Sequence, residues 1–323
     1  MPSEFEIIQH YFKRSVTGTV LGIGDDAAII SPTTHMELAI STDTLVSGQH
    51  FFEDTDPYKL GYKSLAVNLS DMAAMGAKPR WVTLSLTLPK NLIKFHEVWL
   101  SEFAQGFHEL AQTHQVALIG GDTTSGPLNI GVHIIGEIAK GQSLRREGAK
   151  PDDDIWVSGC LGDAALALKH ELREIKLTDN EVNYCLSALY MPTARVELGQ
   201  HLVGLAHSAI DISDGLMADL GHILASSKRA AIIQLEAVPC SGVMKRLLPS
   251  LLAVQCLLAG GDDYELCFTA PKKNRDCIEG IAQKLQVPLT IIGEIKKGEG
   301  LLVMDAEGRE ITIEKKGYDH FAS

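Results

Sequence analysis

Cysteine is absent from the first 159 residues of the chain, and no two cysteines form a CxxC pair. The sequence has 323 residues and six cysteines, the first of which is Cys160. Several of the six, including Cys267, lie within apolar sequence. This distribution excludes a disulfide framework and a cysteine-based zinc site. We interpret the six as reduced core residues of a cytoplasmic protein.

Basic charge is also scarce, since the formal net charge at pH 7 is −12. Nucleic acids and anionic membranes both require a basic face, so we expect neither as a partner. The N-terminal sequence has no basic segment followed by an apolar core, and it therefore predicts no signal peptide. The longest apolar run, at 247–261, is broken by Pro249 and Gln255 and is too short to span a bilayer.

The chain lacks the short motifs of several large enzyme classes. It contains no GxxxxGK[ST] P-loop, no HRD and DFG protein-kinase set and no GxSxG nucleophile elbow. The stretch GIGDDA at 22–27 formally fits the dinucleotide fingerprint, but apolar β-type sequence follows it where a helix is required. The stretch DISDG at 211–215 resembles the start of an EF-hand loop, but Leu216 replaces the glycine and no glutamate closes the loop.

The composition itself is typical of a globular protein, with 45% hydrophobic and 22% charged residues. The length predicts roughly two domains. Strand and helix signals alternate through both halves, and the polar sequence at 140–153 is the best candidate for a boundary. We therefore predict the α/β class (α+β type), with two mixed α/β domains at residues 1–140 and 141–323.

Hydrophobic periodicity predicts the elements of the first half. One helix begins at Asp56, which can cap it, with Pro57 in the first position and Gly76 just past the end. A second helix is predicted at 94–114. The predicted strands lie at 20–24, 27–30, 36–42, 81–89, 116–120 and 129–139.

The second half repeats this alternation. Strands are predicted at 154–159, 207–213, 230–236, 264–271, 289–295 and 301–304. Helices are predicted from 162, from 214 and at 273–285, with one further continuous helix near 244–258.

Aspartate beside Gly, Ser or Thr recurs at the ends of the apolar segments. The stretches are GIGDDAA (22–28), STDT (41–44), NLSD (68–71), GGDTT (120–124), DISDG (211–215) and GGDDYE (260–265). Mg²⁺ prefers hard oxygen ligands and is usually held by a few carboxylates together with substrate phosphates. We therefore predict a site for two or more magnesium ions with a polyphosphate. Its candidate carboxylates are Asp25, Asp26, Asp43, Asp71, Asp122, Asp211 and Asp214.

Single members of this set also have structural interpretations. Asp214 could be only a helix N-cap, and Asp43 only a turn residue. Asp71 is harder to explain in that way, because an unpaired carboxylate inside an apolar helix pattern is costly. The pair Arg145 and Arg146 could be either a solvated pair or a phosphate clamp.

The chain resembles the bacterial thiamine-monophosphate kinase family over essentially its whole length. The shared stretches, in the family's order, are GIGDDAA, AISTDTLVSGQHF, YKSLAVNLSDMAAMGAKP, LIGGDTTSGP, SAIDISDGL, AGGDDYELCFT and GYDHF. Single pieces such as GGDTT are shared with a wider superfamily. That superfamily includes aminoimidazole-ribonucleotide synthetase, selenophosphate synthetase and a hydrogenase-maturation enzyme.

The resemblance implies a homodimer in which the N-terminal domains pair their sheets, and a C-terminal domain of the aminoimidazole-ribonucleotide synthetase-like type. The first domain would bind ATP and Mg²⁺, and the second would complete the nucleotide and substrate site. The implied reaction transfers the γ-phosphoryl group of ATP to thiamine monophosphate, giving thiamine diphosphate in the last step of its biosynthesis. It uses several Mg²⁺ ions, and a monovalent-cation requirement stays open.

The resemblance also implies roles for individual residues. The metal positions correspond to Asp26, Ser41, Thr42, Asp43, Asp71, Asp122, Asp211 and Asp214. The nucleotide positions correspond to Gly121, Asp122, Arg146 and Ser213, and the substrate positions to His50, Asp262 and Tyr318. The family usually carries glutamate where this chain has Asp262, so the side chain here is one methylene shorter.

No general base is expected, because the attacking group is a phosphate oxygen that is already ionised at neutral pH. Metal ions and Arg146 would align the two anions and screen their charge, and the transfer would be direct and in line. The alternatives are another ATPase of the superfamily and a non-catalytic acidic protein that binds metal or nucleotide. Selenophosphate synthetases carry a reactive cysteine or selenocysteine near the N-terminus, whereas the first cysteine here is Cys160. The hydrogenase-maturation enzyme ends in a reactive cysteine, whereas this sequence ends in YDHFAS.

Overall fold

The computed structural model describes residues 3–14, 18–95, 97–248, 250–313 and 317–318. The chain divides into two compact units. The first comprises Met1–Met72 and Ala77–Gly141, and the second comprises Ala73–Gly76 and Gln142–Ser323. Each unit combines a mixed sheet with helices, which confirms the predicted class of two mixed α/β domains.

The first unit contains a four-stranded sheet in the order β1-β4-β2-β3. Its strands are β1 Met36–Val46, β2 Lys78–Leu88, β3 Ala117–Ser125 and β4 Asn129–Ala139. The parallel pair is β2 with β3, whereas β4 runs antiparallel to both β1 and β2. Buried and half-buried side chains alternate along most of β2, and this period of two is the pattern that predicted it, whereas β4 is buried at most positions on both faces.

The helices of the first unit are α1 Glu4–Ile7, α2 Pro57–Ala74, α3 Lys90–Phe95 and α4 Glu97–Thr113. The predicted N-cap of α2 is confirmed, since the Lys59 backbone N–H donates to Asp56 Oδ1 at 3.0 Å. Gly76, just past the helix end, has a φ of +67°, a conformation that glycine adopts readily.

Two glycines allow α2 and α4 to pack closely. A Cβ atom on Gly61 would lie 2.0 Å from the Phe103 carbonyl oxygen, and a Cβ atom on Gly106 would lie 2.0 Å from the Tyr58 carbonyl oxygen. Each helix therefore presents a glycine to the backbone of the other. This contact fixes the position of α2, the helix that carries Asp71.

The predicted strands at 20–24 and 27–30 are wrong. This segment forms only isolated bridges: Leu21 and Ile29 pair in antiparallel fashion and exchange backbone hydrogen bonds of 2.9 and 3.1 Å, and Ile23 pairs with Asp25. Val20 and Ile29 are largely exposed, while Ala28 and Ile30 pack against Trp81. The glycines and paired acidic residues between the bridging positions thus form a loop, and no ladder extends from the bridge.

The second unit contains a six-stranded sheet in the order β10-β7-β9-β5-β8-β6. Its strands are β5 Asp154–Ser158, β6 Ser208–Asp211, β7 Ala230–Gln234, β8 Leu266–Ala270, β9 Leu289–Lys296 and β10 Gly300–Met304. The parallel pair is β7 with β10, and the other pairs are antiparallel. Every residue of β5 and β8 is buried, so these strands form the centre of the core.

The helices of the second unit surround a large apolar core. They are α5 Asp163–Glu171, α6 Asp179–Tyr190, α7 Val196–Leu202, α8 Leu216–Ser227, α9 Gly242–Leu247, α10 Leu251–Ala259 and α11 Arg275–Leu285. The single helix predicted near 244–258 is wrong, because α10 has its own N-cap, where Ser250 Oγ accepts a hydrogen bond from the Ala253 N–H at 3.2 Å. The prediction also omitted α6 and α7.

The cysteine prediction is partly wrong. All six are free thiols, and Cys185, Cys256 and Cys267 are buried as expected. Cys160, which lies just after β5, and Cys277, which lies in α11, are exposed, contrary to the prediction. Among the helices of the described residues, none combines the length and the apolarity needed to cross a bilayer.

Candidate active site

In the first unit, Ser41 and Asp71 are in direct contact. The Ser41 hydroxyl, on β1, donates a hydrogen bond to Asp71 Oδ2, on α2. Both residues are half-buried. The hydroxyl offsets part of the cost of placing a carboxylate in a partly buried position of the helix. Asp43 follows Ser41 by two residues in β1, so strand alternation puts its side chain on the same face of the sheet.

A second group of predicted residues lines a cleft of about 1470 Å³ in the same unit. Asp25, Asp26, Gly121 and Asp122 all face this cleft, and residues 4–6 and 8–13 form another part of its wall. Asp25, Asp26 and Asp122 are exposed, and the Asp26 backbone N–H donates to Asp25 Oδ1 at 2.9 Å. The cleft exceeds the volume of a typical small-ligand pocket, so it has room for a nucleotide.

Sheet order separates these two groups. Asp43 lies in the same cross-strand row as Gly121, through Val132 of β4 and Leu84 of β2. Strands β1 and β3 are the two edges of the sheet, and three strand spacings of about 4.8 Å put this pair roughly 14 Å apart. Thr42 alternates with Ser41 and Asp43, so its side chain is on the opposite face. Within the described residues, no three His, Cys, Asp or Glu side chains lie close enough together to hold one metal ion.

A buried ion pair fastens the loop that carries Asp25 and Asp26. Glu137, which is only 4% exposed, accepts hydrogen bonds from the Thr33 N–H and the Arg80 guanidinium, each at 2.6 Å. At the N-terminal end of the same segment, the Trp81 indole N–H donates to the Gly18 carbonyl at 3.1 Å. The segment between Gly18 and Thr33 is therefore anchored at both ends to the sheet.

His50 lies in the turn after β1. Its Nδ1 accepts a hydrogen bond from the Val46 N–H at 3.0 Å, and its own backbone N–H donates to the Val46 carbonyl at 2.9 Å. The imidazole therefore stabilises the turn through which β1 ends. Its predicted role near the substrate stays a prediction.

In the second unit, the predicted residues of three separate sequence stretches meet at one loop cluster. Asp211 ends β6 and is buried, and Ser213 and Asp214 follow it in the connection to α8. The Asp262 N–H donates to the Ser213 carbonyl at 2.9 Å, and the Tyr318 N–H donates to the Asp214 carbonyl at 3.1 Å. The loop at 211–215 thus holds the predicted substrate residues beside the predicted metal and nucleotide residues.

The backbone around Asp262 has an unusual conformation. Asp262 and Tyr264 both have positive φ, at +69° and +50°. The Tyr264 hydroxyl donates to Asp262 Oδ1 at 3.0 Å, and the Tyr264 N–H donates to the Ile212 carbonyl at 2.8 Å. These bonds explain why β8 begins at Leu266 and not at Tyr264 as predicted.

Sequence reasoning missed the carboxylates that hold these loops. Asp263 accepts a hydrogen bond from the Gly162 N–H at 2.9 Å, and burial raises the pKa of its enclosed carboxyl group well above the usual value. Glu265, which is buried, accepts hydrogen bonds from Ser158 Oγ at 2.5 Å and from Arg195 Nε at 2.6 Å. The partners in these contacts are 70 to 107 residues apart in the sequence, so no local sequence pattern could indicate the contacts.

Asp219 is a further carboxylate that sequence reasoning missed. Its Oδ2 accepts hydrogen bonds from the backbone N–H groups of Ser213, Asp214 and Gly215. Burial, followed by the nearby charge of Asp214, raises the pKa of Asp219 to about 7, although the three N–H groups act in the opposite direction. The signal for it was an aspartate inside the apolar face of α8, which is the reasoning that singled out Asp71.

Arg146 has an exposed side chain. Its backbone carbonyl accepts a hydrogen bond from Ser227 Oγ at 3.3 Å, and the same hydroxyl accepts hydrogen bonds from the Gly148 and Ala149 N–H groups. The linker is therefore fixed to the end of α8, while the guanidinium group faces solvent.

Comparisons with known proteins agree over the full length of the chain. Residues 24–138 match the family AIR synthase related protein, N-terminal domain, and residues 150–305 match AIR synthase related protein, C-terminal domain. The thiamine-monophosphate kinase of Escherichia coli (strain K12) is 44% identical over 324 aligned residues, which cover 99% of this chain and 98% of that protein.

Solved structures agree with the sequence relatives. The crystal structure of thiamine-monophosphate kinase from Stenotrophomonas maltophilia K279a superposes with a TM-score of 0.84 at 46% identity, over 91% of this chain and 93% of that chain. A second structure, AaThiL complexed with AMPPCP and TMP, superposes with a TM-score of 0.78 at 30% identity. It covers 90% of this chain and 89% of that chain.

Proposed function

The chain belongs to the thiamine-monophosphate kinase family of AIR synthase related proteins, and we propose that it transfers the γ-phosphoryl group of ATP to thiamine monophosphate. The observation that carries this proposal is the 44% identity to the Escherichia coli kinase over 99% of the chain. The complex of a relative with AMPPCP, an ATP analogue, and TMP supports ATP as the co-substrate. The product is thiamine diphosphate, formed in the last step of its biosynthesis.

The predicted metal ligands fit magnesium, because each supplies a hard oxygen atom. The residues that would hold the ions are Asp26, Ser41, Thr42, Asp43, Asp71, Asp122, Asp211 and Asp214. The roughly 14 Å between the two edges of the sheet is too far for one ion to bridge, which supports several ions. Such ions would screen the charge of two phosphate groups that must approach each other.

The chain's own groups bind and orient the two substrates in this proposal. Asp122 and the backbone at Gly121 face a cleft with room for a nucleotide. Ser213 lies in the loop that the Asp262 N–H contacts. The exposed guanidinium of Arg146 is available to a phosphate group, and its linker is already fixed at the backbone.

The chemistry needs no general base. An oxygen of the acceptor phosphate attacks the γ-phosphorus, the bond from that phosphorus to the β-phosphate oxygen breaks, and ADP leaves. The attacking oxygen is already ionised, so no proton has to be removed. We expect one in-line step without a phosphoenzyme. His50, Asp262 and Tyr318 are the residues expected near the acceptor.

A homodimer is part of the same proposal. Strand β1 is an edge of the four-stranded sheet. Met36, Leu38 and Ile40 alternate along one face of β1 and are 40%, 38% and 67% exposed. An edge strand with an apolar, exposed face is the kind of surface that pairs with another chain. A cytoplasmic location also belongs to the proposal, and it is supported by six free thiols.

Comparing two acceptors tests the proposal. The full chain is incubated with Mg-ATP and either thiamine monophosphate or thiamine, and ADP and phosphorylated product are measured. We expect turnover with the monophosphate only, because the hydroxyl of thiamine would need a base that the predicted site lacks. Equal turnover of both acceptors would contradict the mechanism. ATP binding without turnover of either would instead favour a non-catalytic nucleotide-binding protein.

A further inference from the structure

Asp219 binds three consecutive backbone N–H groups through one carboxylate oxygen. The N–H groups of Ser213, Asp214 and Gly215 donate to Asp219 Oδ2 at 3.1, 3.1 and 3.0 Å. Asp219 is only 3% exposed. Three hydrogen bonds from consecutive residues to one buried oxygen fix the backbone of the loop at 213–215.

The loop could not keep this conformation by local propensity alone. Gly215 has a φ of +124°, and a Cβ atom there would lie 2.7 Å from the Ala259 carbonyl carbon. Gly215 is also the N-cap of α8, and having no side chain it offers the helix no capping acceptor. Asp219 does not replace this cap, because the N–H groups that it binds belong to Gly215 and the two residues before it, so its contact holds the loop and not the first turn of the helix.

The same loop carries the residues predicted to contact nucleotide and metal. Ser213 and Asp214 are two of the three residues whose N–H groups converge on Asp219. Their carbonyls are also occupied, since they accept hydrogen bonds from the Asp262 and Tyr318 N–H groups. The backbone N–H and C=O groups of both Ser213 and Asp214 are thus hydrogen-bonded, and the two side chains project from a backbone with little freedom to move.

We propose that Asp219 is a positioning residue for phosphoryl transfer, which fixes Ser213 and Asp214 in the conformation that binds Mg-nucleotide. This inference rests on the proposed function. Asp219 itself is enclosed and does not touch the substrates. It acts through the loop in the way that outer hydrogen-bond partners orient the ligands of a metal site, where their removal typically costs about 10- to 100-fold in affinity or activity.

The test compares Asp219→Ala and Asp219→Asn in the full chain, with two measurements. One is the Mg²⁺ concentration that gives half of the maximal rate, and the other is the affinity for AMPPCP at fixed Mg²⁺ by calorimetry. We expect Asp219→Ala to raise the half-maximal Mg²⁺ concentration and the AMPPCP dissociation constant by about 10- to 100-fold. Asp219→Asn keeps a neutral acceptor oxygen and should restore most of the binding, to within about threefold to tenfold of the parent protein.

Asp163→Asn is the matched control. Asp163 is 4% exposed, lies in the first turn of α5 and accepts a hydrogen bond from Ser241 Oγ at 2.6 Å, whereas Asp219 binds the N–H groups of the loop at 213–215. It should leave both measurements unchanged. If Asp219→Ala does not fold, Asp219→Asn alone decides, because the proposal requires a measurable loss of AMPPCP affinity in a folded protein.

Two results would overturn the inference. One is unchanged AMPPCP affinity and unchanged Mg²⁺ dependence in a folded Asp219→Asn or Asp219→Ala protein. The other is an equal loss in Asp163→Asn, which would indicate a general effect of buried acidic residues. A parent protein that binds AMPPCP but does not phosphorylate thiamine monophosphate would contradict the proposed function, while the calorimetry would still test the role of Asp219.

Discussion

Replacing Asp71 by asparagine removes one negative charge while keeping the size of the side chain and one acceptor oxygen. Ser41 Oγ can still donate to that oxygen, as it does to Asp71 Oδ2. A hydrogen bond to a charged group contributes about 1.5–3 kcal/mol and one between neutral groups about 0.5–1.5 kcal/mol, so the bond weakens by about 1 kcal/mol. Loss of the repulsion between Asp71 and Asp43, which shares the face of β1 with Ser41, offsets part of this.

The expected loss of activity is much larger than this change in stability. Removing a group that organises charge in a transition state typically costs about 10²–10³ in rate, or roughly 2.7–4 kcal/mol. A protein with about 5–15 kcal/mol of stability stays folded after losing 1 kcal/mol. Asp71→Asn should therefore lose most of its kcat while its melting temperature changes by only a few degrees.

The assay measures kcat at saturating Mg-ATP and thiamine monophosphate, together with thermal unfolding by circular dichroism. Ser41→Ala removes the hydroxyl and keeps the carboxylate, so we expect a smaller loss of activity than in Asp71→Asn. Asp54→Asn removes an exposed aspartate of the same unit and should have no effect. If Asp71→Asn keeps more than half of the activity per folded molecule, or if its activity falls only as it unfolds, Asp71 is structural and our reasoning is refuted.

Four further predictions follow from other contacts. In Asp262→Asn, asparagine tolerates the φ of +69° and the substitution removes only the charge. We expect the KM for thiamine monophosphate to rise roughly tenfold to a hundredfold, with little change in the KM for ATP. A change in the KM for ATP alone would assign Asp262 to the nucleotide site. Excess chelator should abolish turnover, Mg²⁺ or Mn²⁺ should restore it, and full activity in chelator would contradict the metal site. Gly61→Ala puts a methyl group 2.0 Å from the Phe103 carbonyl oxygen and should destabilise the fold by at least about 1–3 kcal/mol in denaturant unfolding, whereas an unchanged midpoint would show that α2 can shift freely. Burial lowers the pKa of both His108 and His114 in the folded protein, so the unfolded chain takes up protons at a higher pH than the folded protein does. The free energy of unfolding should therefore fall as the pH drops below about 6.5, by at most about 1.4 kcal/mol per pH unit for each histidine. Replacing both histidines by glutamine should flatten this pH dependence.

Sequence patterns predicted most of the elements that carry the candidate site. The start of α2 was readable because Asp56 and Pro57 act locally, and the cap that the sequence indicated is present. The strand β4 was predicted with its observed bounds, because its apolar segment lies between the GGDTTSGP turn and the polar sequence that starts at 140. Local signals of this kind depend on residues within one turn or one strand, so a single sequence contains them.

Other features depended on contacts that a sequence does not display. The residues around Leu21 and Ile29 have the apolar character of strands, but they form isolated bridges within their own segment and join neither sheet. The separation of Asp43 from Gly121 follows from the strand order, which periodicity cannot give. Asp219 was within reach of the reasoning applied to Asp71, because its partners lie only four to six residues away.

The central claim is that this chain joins a phosphoryl group from ATP to the phosphate of thiamine monophosphate. The most direct measurement is the stoichiometry of products when purified protein is incubated with Mg²⁺, ATP and thiamine monophosphate. We predict one thiamine diphosphate for each ADP, with neither formed when thiamine monophosphate is omitted or Mg²⁺ is chelated. Formation of ADP without thiamine diphosphate, or of AMP in place of ADP, would contradict the claim.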